Sequence, residues 1–332
     1  MKNVSIKDVA KEAGVSIATV SRVLNKLSTV KRANKMRVEA VIRRLKFRPN
    51  VSAQRLAAKR NNAIGLVIPR YADIFHSFYA LQVLQGVGLA VERLRLDLLL
   101  HITSENSFLN ISGVEGVIFS DIIGNEDQVD AVLEMDLPCV IMNYLTKDLP
   151  VSCVAIDNFN SALKAVEYLT KLGHTRIATI TGELKSQVAI DRLDGYIKAI
   201  EKHKIEKKNN YVKYGNFGRE SAVKATKELI KLKNPPTAIF AASDEMAVGA
   251  IQVCLENGIN VPRQMSVMGF DDNPLALGFS PVPITTMRQP LHKMAMVATE
   301  TLYKIITKNI KGNKRIVLPS ELIERNSCQM LT

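Results

Sequence analysis

A chain of 332 residues has room for two or three domains with substantial cores, and its 45 Lys and Arg against 32 Asp and Glu leave a formal charge of +13. Residues 1–60 hold sixteen of those bases against three acids (Asp8, Glu12 and Glu39), so the remainder is balanced at 29 of each sign and the whole excess lies in one small segment. Charge spread evenly would mean only solubility, but charge confined in this way is the footprint of a polyanionic partner. No apolar run approaches the ~18 residues of a membrane helix, and MKNVSIKD has no apolar leader. The chain therefore reads as neither exported nor membrane-bound, with a cytoplasmic location. Cys139, Cys153, Cys254 and Cys328 show no paired spacing and read as reduced, packed thiols, not as disulfides or metal ligands.

Two short helices across a tight corner come first. Ser5 with Asp8 three residues on makes a capping box, and Ile6, Val9, Ala10 and Ala13 recur at helical spacing. Gly14 suits a left-handed stop. Ser16 caps a second helix whose inward side is Val20, Val23 and Leu24, leaving Ile17, Ala18, Ser21 and Arg22 outward. Pattern alone allows an ordinary helical hairpin, yet a small mixed outward face of this kind suits the major groove, which admits one helix.

A third helix follows, with Val38, Val41, Ile42 and Leu45 inward and Lys31, Arg32, Lys35, Arg37, Arg43, Arg44, Lys46 and Arg48 around them. Some of these bases are expected to contact phosphates, giving salt-dependent affinity through counterion release. Pro49 stops this helix, and Asn50 caps VSAQRLAAK, which at about nine residues falls below the ~12 to 15 at which an isolated helix becomes stable. It reads as a plain linker, or as a helix that orders only with help.

From Asn62 onward short apolar runs alternate with helical stretches, the mark of parallel α/β units. Candidate strands are Ile64 to Ile68, Asp97 to Ile102, Gly116 to Phe119 and Cys139 to Met142. A second set comprises Cys153 to Ile156, Ile177 to Thr181, Tyr211 to Tyr214, Ala238 to Ala241 and Ser266 to Gly269. Gly173 and Gly258 read as helix stops. Two sets without one long run suggest two lobes, and ligands collect beyond the carboxyl ends of parallel strands. Those ends carry Pro69 to Tyr79, His101 to Ser104, Thr181-Gly182, Ser243-Asp244 and Phe270 to Asp272. Catalysis finds little support. The histidines (His76, His101, His174, His203 and His292) are scattered, with no HExxH pair, and read as surface or cap residues. There is no nucleophile elbow, and Gly86-Val87-Gly88 lacks the third glycine of a dinucleotide loop. No catalytic residue, cofactor or metal is expected.

The run Asp8-Val9-Ala10, Ala13-Gly14-Val15-Ser16, Thr19-Val20-Ser21-Arg22-Val23 and Asn25 resembles the helix-turn-helix signature of the lactose-repressor (LacI/GalR) family of bacterial transcription regulators. In the body, Asp157-Asn158, Leu172-Gly173-His174, Arg192-Leu193-Asp194-Gly195-Tyr196, Asp244-Glu245-Met246-Ala247, Gly269-Phe270-Asp271-Asp272 and Thr285-Thr286-Met287-Arg288-Gln289 resemble that family's effector-binding domain. The resemblance implies a small all-α head over residues 1–48 and a hinge helix or linker over 49–60. It also implies a periplasmic-binding-protein-like body over 61–332, made of two doubly wound parallel-sheet lobes. The first lobe would hold about 61–156 plus 288–315 and the second about 157–287 plus 316–332.

On that resemblance Ile17, Ala18 and Arg22 would meet base edges, while Ser5, Ser16, Thr19, Ser21, Asn25 and Asn50 would contact or position the DNA. Leu56, with Ala53 beside it, would enter the minor groove from a hinge helix paired across a dimer. Ser77, Phe78, Tyr79, Arg192, Ser243, Asp271 and Gln289 match effector positions. Asp and Arg with amide and hydroxyl neighbours suit a polyol, so a sugar or sugar phosphate leads and a purine-like base comes second. The implied protein is a dimeric repressor of a palindromic operator under effector control. The alternative is a constitutive or architectural DNA binder with a decayed cleft. The chain departs from the family twice: TVKRANKMR lacks the usual Ser or Thr cap, and SENSFLNISGVE between Ile102 and Gly116 barely reaches the dozen residues of a crossover. No heptad tail follows the last strand, which favours a dimer over a tetramer.

Overall fold

The computed structural model describes residues 4–24, 29–47, 61–70, 74, 77–104, 107–145, 149–310 and 312–331. Two units are evident, Met1–Asn61 and Asn62–Thr332.

In the first unit α1 (Ile6–Ala13) opens on a reciprocal cap. The Asp8 amide donates to the Ser5 hydroxyl at 3.3 Å while the Ser5 amide donates to Asp8 Oδ2 at 2.9 Å. Gly14 closes the helix at φ 62°, where a side chain would be strained. The Thr19 amide donates to the Ser16 hydroxyl at 3.2 Å, which starts α2 (Ile17–Leu24). The third helix, α3 (Arg32–Leu45), follows Lys31, whose side chain caps nothing, as the missing Ser or Thr foretells. Pro49 is not what ends this helix. Lys46 turns left-handed at φ 49°, the Phe47 amide donates back to Ile42 O at 3.0 Å, and Phe47 joins the core beside Val38 and Val41. Burying one aromatic ring, worth about 1.5–3 kcal/mol, outweighs a lysine in the left-handed region.

The second unit holds two six-stranded sheets. The first takes β1 (Ala63–Pro69), β2 (Asp97–Thr103), β3 (Val117–Phe119), β4 (Cys139–Met142) and β5 (Ser152–Ile156), with helices α4 (Phe78–Leu94) and α5 (Glu126–Glu134) between strands. The second takes β6 (Ile177–Thr181), β7 (Val212–Tyr214), β8 (Ala238–Ala241), β9 (Ser266–Asp271) and β10 (Thr285–Arg288). Helices α6 (Asn158–Lys171), α7 (Gln187–Lys202), α8 (Arg219–Ile230), α9 (Asp244–Glu256) and α10 (Pro274–Gly278) belong to it. After β10 the chain returns to the first lobe as α11 (Leu291–Ile306) and β11 (Arg315–Leu318), then ends in the second as β12 (Glu321–Ile323).

Strand order is β2-β1-β3-β4-β5-β11 in one sheet and β7-β6-β8-β9-β10-β12 in the other, parallel throughout except for the antiparallel β10/β12 pair. Each order reverses direction once, between β1 and β3 and between β6 and β8. The crevice outside the carboxyl ends of such a reversal is where a ligand is received. Because β11 pairs with β5, residues 316–318 belong to the first lobe rather than the second. The final crossing therefore falls at 319–320, a few residues later than expected.

Packing explains two sequence features. Gly86 is not part of a dinucleotide loop; it lies inside α4, where a Cβ would stand 2.4 Å from His292 O, so its absence lets α4 and α11 approach closely. The short segment between β2 and β3 forms no helix among its described residues. Leu109, Ile111 and Val114 cover instead the face made by Ala63, Val67, Val117 and Phe119. That coil is a smaller cover than a helix, and Leu99 and Leu100 on the edge strand β2 stay 40% and 37% exposed.

All four cysteines are buried and none forms a disulfide, with burial pushing Cys139, Cys254 and Cys328 up to about 12. His174 departs from the surface role expected of it. Its ring is buried, with Nδ1 3.0 Å from Thr237 Oγ1 and Nε2 3.0 Å from Ser266 Oγ, so it joins β8 and β9 to the preceding helix corner.

Candidate functional site

The first unit offers one outward helix face. Ile17 is 45% exposed, Ala18 and Arg22 are exposed, and Thr19 and Ser21 are half-buried. Spacing of one, four and five residues along α2 gathers Ile17, Ala18, Ser21 and Arg22 on the side opposite Val20 and Val23. The Arg22 guanidinium has no partner among the described residues. Ser16 and Thr19 hydroxyls lie 3.0 Å apart at the start of the helix, where its amides favour an anion. Ser5 is exposed but spends its hydroxyl on Asp8 at 2.7 Å, so it fixes α1 rather than offering a free donor. Around this face the bases have few acids to meet: Arg44 pairs with Glu12 at 2.6 Å, and Arg37 donates to Asn34 Oδ1 at 2.6 Å. Asn25, Asn50, Ala53 and Leu56 lie outside the described residues, and so does the segment read as a hinge.

In the second unit the two strand-order reversals contribute to one cleft of about 580 Å³. The first lobe lines it with Pro69 and Arg70 after β1, Ser77 and Tyr79 at the start of α4, Thr103 and Ser104 after β2, Asp121, Ile123 and Gly124 after β3, and Asn143 after β4. The second lobe supplies Glu183, Lys185, Ser186 and Val188 after β6, Arg192 on α7, Asn216 and Phe217 after β7, and Asp271; Gln289 and Leu291 come from the return crossing.

Arg192 is the electrostatic centre of the second wall. Its Nε donates to Asn158 Oδ1 at 3.0 Å, its Nη1 to Ala242 O at 2.7 Å, and its guanidinium lies 3.7 Å from the Phe270 ring centroid. Nη1 also stands 3.7 Å from Asp271 Oδ1. Burial pulls Arg192 down to about 10, partly offset by Asp271 and Asp244. Burial likewise raises Asp271, against the pull of Arg192 and of the Gln289 amide that donates to it at 2.5 Å. Asp271 holds φ 116°, a strained backbone of the sort kept at binding sites. Behind it Asp244 accepts from Thr286 Oγ1 at 2.6 Å and from the Asn273 amide at 2.7 Å, and burial raises it well above the usual range. Gly182 has no Cβ because the Phe217 ring occupies that space, 2.0 Å from where it would stand.

The first wall is less satisfied. Asn143, at φ 60°, is buried with its Oδ1 unpartnered, and Gln289, which lines the same cleft, has its Oε1 buried and unpartnered too. Asp121 accepts from the Ile123 amide at 3.2 Å and has no cationic partner among the described residues; burial pushes it up to about 6. Tyr79 donates its hydroxyl to Ser120 O, and Thr103 donates to Asn125 Oδ1.

Of the effector positions expected from sequence, the structure brings Ser77, Tyr79, Arg192, Asp271 and Gln289 to the cleft. Two it does not. Phe78, the first residue of α4, packs against the core and is not among the residues lining the cleft. Ser243 caps α9, accepting from the Met246 amide at 3.2 Å and donating to Phe217 O at 2.8 Å. Its hydroxyl is committed to holding the loop that carries Phe217. Asp121 and Asn143 went unread, although both follow strands read correctly and the carboxyl-end rule points at them.

A model of bacterial regulatory proteins of the lacI family matches residues 5–50, and a periplasmic binding protein-like domain matches residues 166–328. Catabolite control protein A of Priestia megaterium is 31% identical, over 98% of this chain and 99% of that protein. The chain belongs to the LacI family. This LacI-family chain is also similar to the Lac repressor dimer bound to operator and the anti-inducer ONPF, with a TM-score of 0.85 and 26% identity over 100% of both chains. A complex of the transcriptional regulator CelR with cellobiose gives a TM-score of 0.75 and 28% identity, covering 98% of this chain and 99% of that one. The regulator is thus a DNA-binding transcriptional repressor by kinship, with the helix-turn-helix in its first unit. Its relatives are transcriptional regulators, not enzymes. No helix among the described residues is long and apolar enough to cross a membrane, and no group of described residues could hold a metal ion.

Proposed function

We propose that this protein represses transcription as a dimer on a palindromic operator, and that a small polyhydroxylated molecule in the body cleft sets its affinity for DNA. The observation that carries the effector half is the pair of buried, unpartnered acceptors, Asn143 Oδ1 and Gln289 Oε1, in a cleft also lined by the buried Arg192 and the half-buried Asp271. Buried polar atoms are nearly always hydrogen-bonded, so two orphans on residues lining one cleft call for donors from outside. Adjacent hydroxyls supply them, and Arg192 and Asp271 suit the same chemistry, so a sugar is favoured over a purine-like base. A decayed cleft, as in a constitutive or architectural binder, would keep no such arrangement.

Ile17 and Ala18 lack hydrogen-bonding side chains, so their readout is apolar, through thymine methyls or close approach, while Arg22 takes a hydrogen-bonding base edge. Dimer formation is supported by apolar surface on the second lobe, where Leu275 and the 72% exposed Phe279 stand on and beside α10. Exposed apolar surface of this kind, stabilised by association, fits a second copy. Closure of the cleft would alter the distance between the paired hinge segments, and DNA affinity would follow by linkage.

The test is a thermal-shift screen of hexoses, sugar phosphates and nucleobases on the full chain, followed by DNA binding with and without each hit. A ligand binding only the folded protein raises stability with its concentration over Kd, so even a weak effector registers. A hit that moves the melting transition and alters DNA affinity supports the proposal; hits that leave DNA affinity unchanged remove the regulatory part.

A further inference from the structure

We infer that the second-lobe wall of the cleft carries an anion subsite at the start of α7, so that the effector is a polyol bearing a phosphate or carboxylate. This rests on the effector-controlled reading above and narrows it.

Three observations converge. Ser186, the N-cap of α7, is only 2% exposed and lines the cleft, yet its hydroxyl caps no amide and has no hydrogen-bond partner among the described residues. The Gln187 and Val188 amides that follow it likewise have no acceptor among the described residues. Lys185 lines the same wall, and Arg70 lines the opposite one at the end of β1; neither has an ionic partner among the described residues. A 16-residue helix presents partial positive charge at its start, and a buried hydroxyl, free amides and a lysine around that point form the donor set an oxyanion takes. Neutral hydroxyls elsewhere on the ligand would meet Asn143 Oδ1, Gln289 Oε1 and the Asp121 carboxylate, which are acceptors without ionic partners.

Charge across the cleft gives the subsite a regulatory consequence. Arg70 and Lys185 are like charges on opposing lobes, so closure without an anion brings repulsion, and an anion between them removes it. Glu183, exposed on the same wall, opposes this arrangement, by repelling the anion and by competing with it for Arg70, and Asp121 adds a second carboxylate to the cleft. Removing the Glu183 charge relieves both effects and favours the anion.

The experiment uses the full chain and compares hexoses with their 6-phosphates and their uronic acids, with inorganic phosphate as the fragment probe. Thermal shift ranks the series and calorimetric titration gives the affinities. At least one anionic member is expected to bind about tenfold or more tighter than its neutral parent, as one charge-assisted contact commonly supplies. In Lys185→Gln and Ser186→Ala the margin falls to about threefold or less, and Glu183→Gln widens it. Phosphate and uronate arms tell the two anions apart. Lys185 is exposed, so its variant keeps the fold, which circular dichroism checks. Neutral parents that bind as tightly as their anionic counterparts overturn the inference, as does a preference unchanged in Lys185→Gln or a Glu183→Gln variant that binds anions more weakly. In each of those cases binding by neutral sugars leaves the effector reading standing; no shift from any member ends both.

Discussion

The head and the body handle charge in opposite ways. Residues 1–60 carry the entire excess of +13 with three acids among them, and the described bases there are mostly exposed and unpaired. The body is neutral in sum, but buries Arg192 and Asp244 and half-buries Asp271, each held by hydrogen bonds. Exposed charge gives strength that salt removes, whereas buried charge gives geometry that salt barely touches. A surface of the first kind suits a polyanion met anywhere along its length, and a site of the second kind suits one small molecule held in one orientation.

The largest effect expected from this contrast is on salt dependence. Raising salt from about 50 to about 200 mM should weaken operator binding by roughly a thousandfold or more, while cleft affinity for a neutral sugar changes by less than about threefold. Parallel salt slopes for the two would break the comparison. Next comes Arg192→Ala, which strands Asp271 and the Asn158 and Ala242 oxygens. A loss of about 3–5 kcal/mol is expected, read by chemical denaturation followed by circular dichroism, together with loss of the ligand-induced shift. A variant with wild-type stability would mean the arginine is not held as described.

Arg22→Ala should cost about 1–3 kcal/mol of binding to the selected operator and relax preference at one base pair per half-site. A uniform loss across all duplexes would assign Arg22 to phosphate instead. Asn143→Gly sharpens the comparison at smaller scale. It relieves a positive φ and deletes an orphan acceptor, so stability should hold or rise by up to about 1 kcal/mol, yet polyol affinity should fall by about tenfold. Asp121 adds a pH signature. Because burial raises its pKa from 3.8 to about 6, its ionisation opposes folding with full effect above about 6 and none below about 4. Asp121→Asn should therefore stabilise the chain at neutral pH and not at pH 4. In the unsubstituted protein ligand affinity should decline as pH falls through about 6, where the acceptor is lost.

How far the sequence reached differs between elements for physical reasons. The caps at Ser5, Gly14 and Ser16 were legible because each is a local contract between a side chain and a backbone within four residues. Strands such as Cys139–Met142 and Ile177–Thr181 were legible because both sheet faces are covered and the run is apolar, with only Thr179 and Thr181 as exceptions. β10 and β11 escaped as strands because four residues of mixed polarity carry no period, whereas β12 stands close to Arg325, where a last strand is read. β10 is held by polar means, with the Thr285 amide donating to Ser327 Oγ at 2.8 Å and Thr286 to Asp244 at 2.6 Å. At Ser243 a small hydroxyl at a strand's carboxyl end serves a helix cap or a ligand equally well in one dimension. Only the partner atoms, Met246 N and Phe217 O, decide. Phe47 was missed because its burial depends on a left-handed lysine, a conformation that no sequence pattern favours.

One titration tests most directly whether the head reads a specific duplex and the body controls it. Anisotropy of the full chain on a duplex recovered by binding-site selection, and on its scrambled counterpart at about 150 mM salt, should give affinities differing by about a thousandfold or more. Addition of the best-binding sugar or sugar acid should move the first by about tenfold and the second little. Equal affinity for both duplexes, or indifference of the first to every ligand that binds the body, would contradict that reading.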